Sequence, residues 1–336
     1  MRRLIPILIL AALAPGCAFR PEAEASPRAW RGPVGDAADI CAALTTPGSG
    51  ASLPAVLPSD RPVRVLAFGD FGDGGRDQSA VARAMERYAR QHRFDFGLTL
   101  GDNFYPQGLA SPMAGRWDRD WEAMYDPLGI RIYATLGNHD YQRRASPDAE
   151  IARSRLSSSW CLPRRYYTFM AGPVQFFALD TNPIARNRTP VREQLAWLRS
   201  ALRASRATWK VVYGHHPVYT GGEHGEALGY LAGMRERLLP ILKEERVDVY
   251  LTGHDHDLEA LKPEGGVVFF VSGGGGKDKR PLKTDRCRAW GRSVYGFTVL
   301  EARKDEMTVR YVGTDGEVLY ETSWKKGSPP ADCSRP

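Results

Sequence analysis

From Val63 onward, short runs of β-branched and aromatic residues alternate with stretches of helical period. The apolar runs at 63–68, 96–100, 130–136, 174–179, 209–213, 247–251 and 267–271 predict strands. Between the first two, Asp77 stands where it can cap a helix, and Val81, Ala84, Met85 and Tyr88 share one face of it at i, i+3, i+4, i+7 spacing. Residues 191–202 and 234–243 read as helices on the same grounds. Strands alternating with helices imply parallel or mixed sheets covered by helices, an α/β class. Near the C-terminus the pattern changes. Apolar runs at 296–300, 307–312 and 318–323, separated by Lys304-Asp305 and Asp315-Gly316, predict an antiparallel meander.

The N-terminal part has a different character. Met1-Arg2-Arg3 precedes an apolar stretch over 4–14 and then Pro15-Gly16-Cys17. A basic start, an apolar run too short to span a bilayer and a small residue before the break describe a secretory signal over 1–16. The protein is expected to be exported: periplasmic, an outer-membrane lipoprotein, or secreted. Gly16-Cys17 is also placed as a bacterial lipoprotein cleavage site, but Ala14 stands where that pattern usually has a larger aliphatic. A lipid anchor at Cys17 and simple cleavage nearby both stay open. Residues 17–61, rich in Ala, Pro, Gly and Ser, read as a spacer, 62–326 as the folded domain and 327–336 as a tail.

Composition bounds the function without naming it. With 336 residues, 43% of them hydrophobic, the chain can bury a substantial core. The net charge of +7 is spread along the chain with no dense basic run interleaved with aromatics, so no nucleic-acid partner is expected. Setting Cys17 aside, Cys41, Cys161, Cys287 and Cys333 allow two disulfides in an oxidising compartment, with three pairings open. No Cys-x-x-Cys pair occurs, which argues against a thiolate zinc site.

The chemistry is concentrated where strands end. Five predicted strands run directly into Gly69-Asp70-Phe71-Gly72, Gly101-Asp102-Asn103-Phe104-Tyr105, Gly137-Asn138-His139-Asp140, Gly214-His215-His216-Pro217 and Gly253-His254-Asp255-His256. In open α/β sheets, residues beyond the carboxyl ends of strands converge however far apart they lie in sequence. Carboxylate, phenolate, amide oxygen and imidazole make a hard oxygen and nitrogen donor set suited to iron, zinc or manganese. His254 and His256, two apart in an extended loop, can project the same way and serve adjacent ions, and Asp102 can bridge them. Taken singly, each motif has a plainer reading: Gly-Asp a turn, Asn138 or Asp140 a cap, Tyr105 a half-buried aromatic, His215 or His216 a core histidine. Their joint occurrence at successive strand ends is what points to a metal centre.

These motifs, in this order, resemble the metallophosphoesterase superfamily, and Tyr105 narrows the resemblance to the purple acid phosphatases of the small, single-domain, tartrate-resistant type. The likeness covers roughly 62–324 and includes stretches that carry no donor, such as Phe177-Ala178-Leu179-Asp180-Thr181, Gln194-Leu195-Ala196-Trp197-Leu198 and Gly222-Glu223-His224-Gly225. It implies a four-layer α/β/β/α sandwich with two central mixed sheets. It also implies a binuclear centre, with Asp70, Tyr105 and His256 on ferric iron, Asn138, His215 and His254 on a divalent iron, zinc or manganese ion, and Asp102 bridging. His215 is preferred to His216 because it follows Gly214 directly, as the family's ligand does. The implied reaction is phosphomonoester hydrolysis by attack of a metal-bound hydroxide on phosphorus. His139 and His224 would serve as donors at the reacting phosphoryl group, and Asp140 would orient the His139 imidazole. A phosphorylated small molecule or phosphoprotein is the expected substrate, and a monomer the expected state. A phosphodiesterase or nucleotidase on the same centre, and a non-catalytic exported binding protein, are the rival readings. Gly273 to Gly276 match no phosphate-cradling fingerprint and are expected to form a flexible loop beside the site, within a stretch over 273–292 that would help set specificity.

Overall fold

The computed structural model describes Cys41, Leu57 and residues 61–226, 228–284 and 287–333. The expected signal segment, Cys17 and most of the spacer lie outside these residues. Every described residue belongs to one compact unit, within Gly32–Pro336. Among the described residues no helix is long and apolar enough to cross a membrane.

Two seven-stranded mixed sheets form the centre. In the first, β1 (Val63–Phe68), β2 (Phe96–Thr99), β3 (Ile132–Tyr133) and β4 (Trp160–Cys161) run parallel. The predicted meander, β12 (Gly296–Ala302), β13 (Glu306–Gly313) and β14 (Val318–Lys325), extends this sheet antiparallel from β1. In the second, β6 (Val174–Ala178), β7 (Trp209–Tyr213), β8 (Val249–Thr252) and β10 (Val267–Ser272) run parallel. Antiparallel β5 (Tyr167–Ala171) edges one side, and β9 (Leu258–Glu264) and β11 (Arg288–Arg292) the other.

The period of two in each strand builds the layers. Along β7, Trp209, Val211 and Tyr213 join the core that contains the first sheet, while Val212 joins a second core under the helices. Val249 and Leu251 of β8 divide from Tyr250 in the same way, as do Val268 and Phe270 of β10 from Val267 and Phe269. Across the sheets, Phe96 of β2 meets Phe169 and Phe176 edge-on, with ring centroids 5.6 and 5.3 Å apart. On the outside lie α1 (Arg76–Gln91), α2 (Ser146–Arg153), α3 (Thr181–Arg186), α4 (Val191–Ala204), α5 (Leu228–Arg237) and α6 (Leu239–Glu244). This is the four-layer α/β/β/α arrangement that the resemblance implies.

Local details differ from expectation. α1 starts after Gly75 with no side-chain cap; Asp77 sits in its first turn and accepts a hydrogen bond from the Tyr295 hydroxyl instead. The expected face of α1 does form, with Val81, Ala84 and Met85 buried. The apolar run at 130–136 pairs only over Ile132–Tyr133. The helical run at 234–243 is two helices, α5 and α6, which meet beside Pro240 near the start of α6. The cysteines pair as Cys41–Cys161 and Cys287–Cys333.

Candidate metal centre

The loops that follow β1, β2, β3, β7 and β8 meet at one end of the paired sheets and are stitched together by main-chain hydrogen bonds. Asp70 N donates to Gly101 O at 3.1 Å, Gly253 N to His215 O at 3.1 Å and Gly275 N to Gly69 O at 3.0 Å. Asp70, Asp102 and His254 hold left-handed backbone, with φ of 59°, 53° and 74°. Non-glycine residues adopt it at some cost in energy and chiefly where the surroundings dictate it. Crowding explains one glycine among them: a Cβ on Gly137 would stand 2.1 Å from Asp102 Oδ1.

Two groups of donors share one carboxylate oxygen. In the first, Tyr105 Oη lies 3.1 Å from Asp70 Oδ1, 3.0 Å from Asp102 Oδ2 and 3.1 Å from His256 Nε2. In the second, His215 Nε2 lies 3.1 Å from Asn138 Oδ1, 3.1 Å from His254 Nδ1 and 3.5 Å from Asp102 Oδ2. Imidazole orientation is fixed from behind. His215 Nδ1 donates to Leu100 O at 2.9 Å and His256 Nδ1 to Asp278 O at 2.6 Å, so each ring turns the lone pair of Nε2 inward.

The electrostatics suit a bound cation. Burial, and then the Asp102 charge, push Asp70 well above the usual carboxylate range, and burial with both carboxylates raises Tyr105. Burial lowers His215 and His254 and takes His256 down to about 4, which leaves all three imidazoles neutral, the form that ligates. Carboxyl, phenol and amide oxygens crowded in a buried site beside neutral nitrogens match the donor chemistry of iron, zinc or manganese. All seven predicted donors, Asp70, Asp102, Tyr105, Asn138, His215, His254 and His256, thus stand in one cluster. His216 is drawn in as well: His215, His216 and His254 can bring nitrogens within 4.8 Å of one another. Its Nδ1 meets Thr181 Oγ1 at 2.9 Å and its buried Nε2 has no partner.

Around this cluster lies a cavity of about 160 Å³, whose lining includes His139, His224, Tyr230 and Arg280. His139 donates from Nδ1 to Pro106 O at 2.7 Å. That contact corrects the role expected for Asp140, which does not orient the His139 ring. Buried beneath the loops, Asp140 accepts from the backbone N–H groups of Gly137, Asn103 and Phe104 and holds two of the metal loops together. Burial, with Asp102 nearby, raises its carboxyl to about 8. His224 has the kind of carboxylate partner expected for His139: its Nδ1 lies 2.7 Å from Asp255 Oδ1. Burial works to raise Asp255, but hydrogen bonds from His224 and Thr220 outweigh it and hold the carboxyl below its usual range.

Sequence reasoning missed Asp255 and Arg280. Asp255 carried a signal, because alternation between His254 and His256 turns it to the opposite side from both. Arg280 sits in the expected specificity stretch, pairs with Glu223 at 3.3 Å and reaches His254 O at 3.4 Å. The expectation of a flexible Gly273 to Gly276 is overturned by packing. A Cβ on Gly273 would stand 1.9 Å from Asp255 O, and one on Gly275 2.2 Å from Gly69 O.

Comparison with known proteins agrees with this geometry. Residues 63–258 match the family model described as calcineurin-like phosphoesterase. The chain is 32% identical over 301 residues to purple acid phosphatase 7 of Arabidopsis thaliana, covering 82% of this chain and 90% of that one. It is 31% identical over 309 residues to tartrate-resistant acid phosphatase type 5 of Homo sapiens, covering 80% and 93%. In fold it is similar to GAP50, the anchor in the inner membrane complex of Plasmodium, with a TM-score of 0.70 at 20% identity over 80% of this chain and 90% of that one. A purple acid phosphatase from yellow lupin seeds aligns with a TM-score of 0.62 at 17% identity, over 79% of this chain and 54% of that one. The chain belongs to the calcineurin-like phosphoesterases, among the purple acid phosphatases, and is a metal-dependent phosphoric monoester hydrolase.

Proposed function

We propose that this protein is an exported purple acid phosphatase that hydrolyses phosphomonoesters at an iron-containing binuclear centre. One observation carries the reading: Tyr105 Oη lies within about 3.1 Å of donor atoms of Asp70, Asp102 and His256. A phenolate beside two carboxylates and an imidazole is a donor set for ferric iron. In this reading Asp70, Tyr105 and His256 hold that ion, Asn138, His215 and His254 hold a divalent iron, zinc or manganese ion, and Asp102 serves both. When bound, the two ions would supply Lewis acidity at phosphate oxygens and a water acidified enough to be nucleophilic near neutral pH.

The chain's own residues do the rest. His139, fixed through Pro106 O, faces the cavity beside Asp102, with 3.9 Å between Nε2 and Oδ2, and donates to the phosphoryl oxygens as their charge grows. His224, held by Asp255 at Nδ1 and with Nε2 3.5 Å from Arg280 Nη1, protonates the leaving oxygen as the ester bond breaks. Arg280 adds a cation to the same cavity, and the neighbouring Glu223 fixes its direction.

The test is metal analysis and visible absorption of the purified protein beside Tyr105→Phe. Roughly two metals per chain including iron, with a visible band lost in the variant, is the expected result. A colourless protein holding only zinc or manganese would overturn the iron assignment, and one that binds no metal would overturn the whole reading. Turnover of an aryl phosphate far above that of a bis-aryl phosphodiester separates monoesterase from diesterase.

A further inference from the structure

Beside the metal centre, and sharing Asn138 with it, opens a second cavity of about 280 Å³. Among the described residues three arginines line it, Arg165, Arg186 and Arg188, and no carboxylate does. Their charges are balanced unequally. Arg165 pairs with Asp148 at 2.6 Å and donates to the Tyr141 hydroxyl at 2.6 Å. Among the described residues, Arg186 makes its side-chain contacts with Tyr230, with its guanidinium 5.3 Å from the ring centroid and Nη2 3.3 Å from the hydroxyl. Arg188 makes no side-chain hydrogen bond or ion pair among the described residues.

The wall that carries these arginines is fixed to the metal loops. Asn182, buried at the start of α3, donates from Nδ2 to Gly137 O at 2.9 Å, next to Asn138. Tyr230, under Arg186, also lines the cavity of the metal centre. A leaving group that departs from the centre past Asn138 or Tyr230 therefore enters a space with two uncompensated guanidinium groups. Guanidinium is a planar, paired donor that matches phosphate oxygens, and an unbalanced pair of them concentrates anions.

We propose that this cavity is a subsite for a second phosphate, and that the preferred substrates are monoesters whose leaving group carries another phosphate. This rests on the reading of the metal centre as a phosphomonoesterase and adds the substrate class to it. Arg186 and Arg188 hold the distal phosphate, while Arg165, already neutralised by Asp148, shapes the wall.

The test compares a four-carbon diol bisphosphate with the matched monophosphate, in the metal-loaded wild type and in an Arg186→Ala, Arg188→Ala double variant. Both side chains are exposed, so the variant folds. The expected result is a wild-type kcat/KM on the order of tenfold higher for the bisphosphate, expressed in KM and abolished in the variant, with monophosphate turnover unchanged. Equal turnover of the two esters by wild type, or an equal loss on both in the variant, overturns the subsite. A binding arm uses the same loaded proteins with non-hydrolysable phosphonates: the four-carbon bisphosphonate should bind wild type more tightly than the matched monophosphonate, and the variant should not distinguish them. If neither ester is turned over and this arginine-dependent preference persists, the phosphatase reading fails and the subsite stands. If turnover is normal and the preference is missing, the reverse holds.

Discussion

His224 and Asp255 show how much of the chemistry depends on a single contact. A histidine on a loop is a poor proton donor unless its ring is aimed. The 2.7 Å contact from Nδ1 to Asp255 aims this one and keeps the charge balanced when the ring is protonated. Replacing His224 with Asn should therefore lower kcat by about 10²–10⁴ for alkyl phosphates, whose leaving oxygen needs a proton, and far less for nitrophenyl phosphates, which do not. The check is kcat against leaving-group pKa: wild type should give a shallow slope and the variant a steep one, and parallel slopes would remove His224 from proton transfer. The seven candidate donors were legible in sequence because each is a residue type that ligates hard metals and each follows an apolar run. The contacts that orient them were not. Leu100, Pro106 and Asp278 act through main-chain carbonyls, which any residue possesses, so no side-chain pattern could mark them.

Elements place these residues, and α3 does so for the neighbouring cavity. Its N-cap is Asp180, whose carboxylate accepts from Asn182 N at 3.2 Å and from the Tyr141 hydroxyl. Burial raises this carboxyl from 3.8 to about 6, against the pull of Tyr141 and Arg165. Between those values the folded chain keeps a proton that the unfolded chain has lost. Stability from this group therefore falls as pH rises from about 4 to 6, by roughly 3 kcal/mol. Asp180→Asn should flatten that slope, so denaturant midpoints of variant and wild type should be closest at pH 4 and diverge in the variant's favour by pH 6. Constant separation over that range would mean Asp180 does not titrate there. Longer elements were readable where their period is clean: β1 and β7 form over the predicted residues, and α4 extends the predicted helix by two. β4, with two residues, is too short to show a period, and β9 hides its own behind the buried Glu259 and Pro263. β3 is curtailed because the run beyond Tyr133 turns into the loop that carries Asn138.

At the scale of the whole molecule, the metal centre lies across two sheets, so anything that lets the sheets or their margins drift would disturb it. β1, β2 and β3 supply donors from one sheet and β7 and β8 from the other. Architecture of this kind does not by itself fix the chemistry; the loops that carry the candidate donors do. The margins are fastened covalently. Cys41–Cys161 ties the chain ahead of β1 to β4 at the far edge of the first sheet, across a separation of 120 residues. Cys287–Cys333 ties the C-terminal segment beside β11, at the edge of the second, across 46. Cross-linking stabilises mainly by shrinking the unfolded ensemble, and the gain grows slowly with the loop closed. Opening the first bridge with Cys41→Ser and Cys161→Ser should cost about 5 kcal/mol, and opening the second with Cys287→Ser and Cys333→Ser about 4 kcal/mol. Both Cys41 and Cys161 are buried, so the first pair also exchanges two sulfurs for hydroxyls in the core, which widens the gap in the same direction. Denaturant unfolding of the two double variants checks the order. A first bridge that could be opened without loss would mean that the segment around Cys41 adds nothing to the sheet edge, and the stability of the metal-bearing end would then rest on packing of the two cores alone.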